Sequence, residues 1–269
     1  MSETFLLAAV QMISTPRLDE NLAAAERLIN EAAARGARLV ALPEYFPGIG
    51  SADADRLALT EADGCGPIQD FLAAQARRHR LWLVGGSLPL AASDPAKLRN
   101  SCLVFDPEGR RIARYDKIHL FSFAQNEERY DEGQTIEAGP PKPVSFTAPF
   151  GRVGLGICYD LRFPELFRAL GTVELIVLPA AFTDTTGRAH WEVLLRARAI
   201  ENQCYLLAAA QGGRHPSGRV THGNSMIIDP WGVVLARLDK GEGVITAALD
   251  LAHIAEVRAR LPALAHRRL

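Results

Sequence analysis

The chain has 269 residues, 48% of them hydrophobic and 23% charged, with a formal net charge of -1. That is ordinary globular composition, and it leaves no basic field for nucleic acid or an anionic membrane. The four cysteines (65, 102, 158, 204) show no CxxC spacing, and no uncharged apolar run approaches the roughly 18 residues that span a bilayer, so a cytoplasmic, reducing-compartment protein without a secretory leader is expected.

Phe5 to Met12 reads as a buried strand. Leu18 to Arg35 carries Leu22, Ala25, Leu28, Ile29 and Ala32 at helical spacing and is closed by Gly36, which predicts an amphipathic helix. Leu39 to Leu42 is the next strand, stopped by Pro43, and the order implies a parallel pair with a right-handed crossover. Glu44 follows at the carboxyl end of that strand, where open α/β sheets place their chemistry. Pro67 to Arg80 predicts a second helix and Leu81 to Gly86 a strand. Asn100 to Phe105, the Asp106-Pro107-Glu108-Gly109 turn and Arg110 to Tyr115 predict a hairpin. Lys117 ends it, bracketed by apolar residues.

Residues 121 to 143 lack periodicity and read as a long loop, the kind that is functional or disordered; Glu132 lies in it. Val153 to Ile157 has strand character, and Pro164-Glu165 opens a helix. Cys158 therefore sits on the bend between them, where a thiol is expected to be exposed to substrate and its thiolate favoured by the helix N-terminus. Glu174 to Leu178 predicts a strand stopped by Pro179. Gly187 to Cys204 predicts a long helix, Tyr205 to Ala210 a strand, 211 to 223 a glycine-rich loop, and Leu251 to Arg260 a last helix.

The chain repeats internally. Asn100-Ser101, Asp106-Pro107-Glu108-Gly109 and Ala113-Arg114-Tyr115-Asp116-Lys117 are echoed by Asn224-Ser225, Asp229-Pro230-Trp231-Gly232 and Ala236-Arg237-Leu238-Asp239-Lys240, while Leu42-Pro43 is echoed by Leu178-Pro179. Two such halves each give a mixed sheet with helices on one face, and stacking their bare faces buries both. The expectation is one α/β domain over 1–269, a four-layer α-β-β-α sandwich whose site draws on both halves.

Glu44, Lys117 and Cys158 then form a chemically complementary set. A carboxylate takes a thiol proton, an ammonium stabilises an oxyanion, and a cysteine forms an acyl intermediate. No Gly-x-Ser-x-Gly elbow, Walker loop or His-Glu-x-x-His is present. Tyr159 stands where a dinucleotide fingerprint needs its third glycine. The seven histidines show no close pair at metal-ligand spacing. A Cys–His pair with His119, His190 or His222 stays open.

Leu42-Pro43-Glu44, Tyr115-Asp116-Lys117-Ile118-His119-Leu120 and Cys158-Tyr159-Asp160-Leu161-Arg162-Phe163-Pro164-Glu165 together resemble the nitrilase superfamily, or carbon–nitrogen hydrolases, over nearly the whole chain. The segments 187–201, Gln203-Cys204-Tyr205 and Leu261-Pro262 to Arg268 are most similar to the branch holding deaminated glutathione amidase and ω-amidase. The resemblance implies the same αββα sandwich, assembled as a homodimer or larger, with the 261–269 tail packing on a partner subunit. It implies Glu44 as general base, Lys117 as oxyanion lysine, Cys158 as nucleophile and Glu132 as a second glutamate, with Glu128 or Glu137 as alternatives. Tyr159, Arg162, Phe182, Thr186 and His190 are the implied substrate contacts. Arg162 is suited to a keto-acid carboxylate, or else to a salt bridge with Glu165 or Asp160; His190-Trp191 is equally suited to helix packing. The segment Phe121 to Gly133 departs from the branch's usual loop and leaves room for a bulkier substrate.

The implied activity is hydrolysis of a small carboxylate-bearing amide to acid and ammonia through a cysteinyl thioester, with no metal or organic cofactor and no nucleic-acid or membrane partner. Nitrile and N-carbamoyl hydrolysis are alternatives within the fold, and an idle small-molecule binding module is an alternative outside catalysis.

Overall fold

The computed structural model describes residues 4–125 and 128–268. Met1 to Glu3, Asn126 and Glu127 of the 121–133 segment, and Leu269 of the tail lie outside the described residues. In chain order the elements are β1 (Thr4–Gln11), α1 (Leu18–Ala34), β2 (Leu39–Ala41), α2 (Pro67–His79), β3 (Trp82–Val84), β4 (Leu88–Ala91), β5 (Leu98–Phe105), β6 (Arg111–Asp116), β7 (Ser122–Gln125) and β8 (Glu128–Asp131). They continue with β9 (Ser145–Ala148), β10 (Gly151–Leu155), α3 (Pro164–Ala169), β11 (Leu175–Ala180), α4 (Asp184–Asn202), β12 (Tyr205–Ala210), β13 (Ser225–Ile228), β14 (Val234–Leu238), β15 (Gly243–Asp250) and α5 (Leu251–Arg260).

The repeat is visible in the topology. In the first half β1, β2 and β3 run parallel and β5 pairs β3 antiparallel, with β6 beside β5. In the second, β10, β11 and β12 run parallel, β13 pairs β12 antiparallel, and β14 follows. The last strand, β15, returns to the first sheet and pairs along all of β1. Adding it and β4 gives a seven-stranded sheet facing a six-stranded one.

Alternation on β1 shows why the sheets stack. Leu7 and Ala9 point into the core between the sheets, whereas Ala8 and Val10 point toward α1 and α2. With both faces covered, the strand reads as an unbroken apolar run rather than an alternating one. Helix α1 buries Ala25, Leu28, Ile29 and Ala32 on one stripe. The expected α-β-β-α sandwich is the observed architecture. No helix among the described residues is long and apolar enough to cross a membrane.

Four local expectations are corrected. Residues 121–143 are not a bare loop, because β7 and β8 pair as a hairpin from Ser122↔Asp131 to Gln125↔Glu128. Neither strand has a buried residue and β8 is polar throughout apart from its tyrosine ring, so no apolar run marks them. Strand β11 does not stop at Pro179: it continues to Ala180, with Pro179 aligned to Ala209 on β12. Helix α4 begins at Asp184 rather than Gly187, because the Thr183 hydroxyl accepts from the Thr186 N–H and caps it. Cys158 is not exposed: it retains 7% of its surface and starts a tight 3-10 turn to Arg162 ahead of α3.

Candidate active site

Glu44, Lys117 and Cys158 come from the ends of three strands, β2, β6 and β10, that share one rim of the sandwich. Backbone packing holds the first two rigidly. Gly86 turns with φ +59, and a Cβ there would lie 2.2 Å from the Pro43 carbonyl, so only glycine allows the chain to close against the strand end carrying Glu44. Likewise the Gly139 N–H donates to the Lys117 carbonyl at 2.8 Å, and a Cβ on Gly139 would lie 2.2 Å from the Asp116 carbonyl. Tyr45 (φ 56) and Cys158 (φ 50) both adopt the left-handed region without being glycine, a cost of about 1 kcal/mol or more each that clusters at functional sites.

Lys117 is fully buried, and its Nζ donates to Glu44 Oε1 at 2.9 Å and lies 2.8 Å from Glu132 Oε2. The carboxylates are held in turn. Asn100 Nδ2 donates to Glu44 Oε1 and the Ala181 N–H to Glu44 Oε2, both at 2.9 Å. Tyr45 Oη donates to Glu132 Oε1 at 2.6 Å and the Phe121 N–H to Glu132 Oε2 at 2.7 Å. The Cys158 thiol lines the same cavity as the Glu44 carboxylate and feels its charge. Glu132 is therefore the glutamate that meets Lys117. Glu128 instead accepts from the Thr185 hydroxyl, and Glu137 pairs with Arg99.

Burial and charge set the protonation states. Burial raises the Glu44 carboxyl above its ordinary value, and the Lys117 charge only partly offsets that. Burial, reinforced by the Glu44 charge, pushes the Cys158 thiol well above its ordinary value. The expected thiolate stabilised by a helix N-terminus is thus corrected: burial and the Glu44 charge favour the neutral thiol. Burial opposes the Lys117 ammonium, but Glu132 and Glu44 outweigh it and keep the group charged.

The Cys158 turn is tied to the strand leading into Lys117 through Asp160. Its Oδ2 accepts from Tyr115 Oη at 2.7 Å and the Ile157 N–H at 2.8 Å, and its Oδ1 lies 2.7 Å from His119 Nδ1. His119 also stacks on Phe163. His222 contacts Asp184 and His190 contacts Arg162. None of these three histidines lines the cavity, so the Cys–His alternative is not what the structure builds.

The cavity over Cys158 is lined among others by Tyr159, Arg162, Phe182 and Thr186. Arg162 makes no ion pair with Glu165 or Asp160. Its guanidinium lies 5.4 Å from the Phe182 ring and 3.2 Å from His190 Nδ1, leaving donors for an anion. His190 is exposed and reaches the cavity only through Arg162, while Trp191 packs inward and donates to the Asn224 carbonyl. The 121–133 segment does border the site, through Phe121, Tyr130 and Glu132.

Sequence reasoning missed Tyr45, Asn100, Asp160, Arg56 and Arg219. Asn100 opens the repeated Asn-Ser motif and Asp160 stands two residues after the nucleophile, so both carried a signal. The arginines carried none.

The carbon–nitrogen hydrolase family matches residues 6–259. A deaminated glutathione amidase of Synechocystis is 42% identical over 268 residues, covering 98% of both chains. An omega-amidase of Xenopus tropicalis is 39% identical over 276 residues, covering 98% of this chain and 95% of that one. Among solved structures, the NitFhit protein of Caenorhabditis elegans superposes with a TM-score of 0.88 at 38% identity, covering 99% of this chain and 66% of the longer one.

Proposed function

The chain belongs to the carbon–nitrogen hydrolase family, and from that premise we propose that it hydrolyses a carboxylate-bearing amide through a Cys158 thioester, with deaminated glutathione as substrate. The observation that carries this reading is the buried contact of Lys117 with both Glu44 and Glu132, in a cavity that Glu44, Glu132 and the Cys158 thiol line together. The similarity to deaminated glutathione amidases supports the substrate.

In the proposed reaction Glu44 accepts the Cys158 proton as sulfur attacks the carbonyl carbon. Lys117 Nζ and the Tyr159 N–H hold the oxyanion, each contributing roughly 2.7–4 kcal/mol if these donors behave like those of other acyl-transfer sites. Glu44 returns its proton to the nitrogen, the C–N bond breaks and a thioester remains. Water then gives a proton to Glu44 and attacks the thioester, releasing the acid and the free thiol. Glu132 holds Lys117 in place and takes up part of its charge. The departing amine is ammonia for a primary amide; for deaminated glutathione, whose amide nitrogen belongs to a dipeptide, it is cysteinylglycine. Arg162 binds the keto-acid carboxylate with Phe182 and Thr186 beside it.

A second reading, an ω-amidase acting on keto-acid amides, is favoured by the similarity to the frog enzyme. Keto-acid release from deaminated glutathione and from α-ketoglutaramate, with a matched nitrile and N-carbamoyl compound, separates the readings. A higher kcat/KM on deaminated glutathione supports the first, a preference for the primary amide supports the second, and turnover of only the nitrile or carbamoyl compound overturns both. Assembly as a homodimer is likewise proposed, with support from the exposed apolar side chains of Val193, Ile200 and Trp231; light scattering on the purified protein tests it.

A further inference from the structure

We propose that Arg219 and Arg56 form a carboxylate subsite on the leaving-group side of the cavity, selecting amides whose departing amine itself carries an anion. The proposal rests on the amidase reading above.

Arg56 lies on a 3-10 segment, Asp53–Leu59, and keeps only 3% of its surface exposed. Its Nη2 donates to Asp53 Oδ1 at 2.9 Å, but its Nε is buried without any hydrogen-bond partner. Arg219, on the loop before β13, brings its own Nη2 to 2.9 Å from the same Asp53 oxygen. Two guanidinium groups thus share one carboxylate, and the further carboxylate acting on Arg56 is that of Glu132, which Lys117 already engages. All three residues line the cavity that holds Cys158. A buried donor without a partner is unfavourable, and a ligand carboxylate would give these two guanidinium groups an acceptor of their own beside the shared Asp53.

The chemistry of the site decides which end of the substrate this carboxylate occupies. Glu44 protonates the departing nitrogen, so the leaving group lies on its side of the cavity. Tyr45 is the next residue, and the Arg56 guanidinium sits 4.1 Å from the Tyr45 ring centroid. Arg162 stands instead on the nucleophile's own turn, on the acyl side, against Phe182. The two arginine positions therefore suit a substrate with an anion at each end. The class implied for the far end is a short peptide-like amine ending in a free carboxylate, which cysteinylglycine is and ammonia is not.

The test compares deaminated glutathione, its glycinamide analogue lacking the terminal carboxylate, and α-ketoglutaramate, using wild type, Arg219→Gln and Arg219→Lys. The expected result has two parts. The glycinamide analogue is a poorer wild-type substrate than its parent, and Arg219→Gln lowers the kcat/KM ratio of deaminated glutathione to α-ketoglutaramate by roughly tenfold or more, as loss of a charge-assisted hydrogen bond demands. Arg219→Lys recovers part of that ratio, which loss of folding would not allow. Equal kcat/KM on the acid and its glycinamide, or an unchanged ratio in Arg219→Gln, overturns the subsite while leaving the amidase reading intact. Absence of Cys158-dependent turnover on all three substrates overturns that reading and the subsite with it.

Discussion

Asp160 Oδ2 and Tyr115 Oη lie 2.7 Å apart, and this contact joins the turn that carries Cys158 to the strand that leads into Lys117. Cys158 and Lys117 each stand two residues from one partner of that pair. Asp160 is fully buried and its oxygens also engage His119 and the Ile157 N–H, so no acceptor capacity is spare. Asp160→Asn replaces one acceptor oxygen by a donor and leaves N–H groups facing it. We expect kcat to fall by roughly 10- to 100-fold, from misplacement of the thiol. Tyr115→Phe removes one bond only and should cost less. Steady-state kinetics on both variants checks the order.

Lys117 contacts two buried carboxylates with its one positive charge. Lys117→Met removes the cation and leaves Glu44 and Glu132 facing each other in a desolvated site. A single lost oxyanion donor costs about 10²- to 10³-fold in kcat, and the unpaired charges add a stability penalty of about 3 kcal/mol or more. Both are expected together, by kinetics and urea unfolding. Glu132→Gln keeps the shape and removes one charge, and should fall between Lys117→Met and wild type.

The acid limb of activity should follow Glu44. The base must be ionised to accept the thiol proton, and burial raises its carboxyl above the ordinary 4.5. We expect kcat/KM to rise with pH through a value above 4.5, not below it. The same shift works against stability: folding favours the protonated form, so the Glu44 contribution weakens as pH climbs from 4.5 to the raised value. A pH–rate profile with an acid limb below 4.5 would contradict this assignment.

Asp184 supplies the opposite sign. It sits in the first turn of α4; burial is the largest single influence and raises its carboxyl, but the contacts with Lys240, Arg188 and His222 together outweigh it and lower the group to about 2. A depressed folded value gives stability that is present above 3.8 and is lost as pH falls toward 2. Asp184→Asn is expected to cost about 1–2 kcal/mol at pH 7 and nearly nothing at pH 2, read by denaturant midpoints.

Much of the sandwich was legible because burial on both sheet faces turns strands into apolar runs, and because Leu42-Pro43 and Leu178-Pro179 mark equivalent strand ends. The repeat also shows why there is one such site and not two. The strand registers place Met12, Ala180 and Lys240 where the first set has Cys158, Glu44 and Lys117; the second set keeps the lysine but has neither thiol nor carboxylate. The β7–β8 hairpin was not legible, since neither strand has a buried residue and no apolar run marks them. Strand β4 was not legible either: it is short and contains Pro89, paired with Asn100 on β5. The state of Cys158 was misread for a different reason. Ala181 follows β11, the strand paired with the β10 that leads into Cys158, but Glu44 comes from the other half, and only the stacking of the two halves brings that carboxylate to the thiol. The same holds for Arg56 and Arg219, whose shared partner Asp53 lies far from the latter along the chain.

The central claim is that amide cleavage passes through Cys158, and its most direct test is keto-acid release from deaminated glutathione by wild type and by Cys158→Ala. The account predicts steady release by wild type and a loss of roughly 10⁴-fold or more in the variant, in line with removal of a nucleophile elsewhere. Release by Cys158→Ala within tenfold of wild type would contradict it.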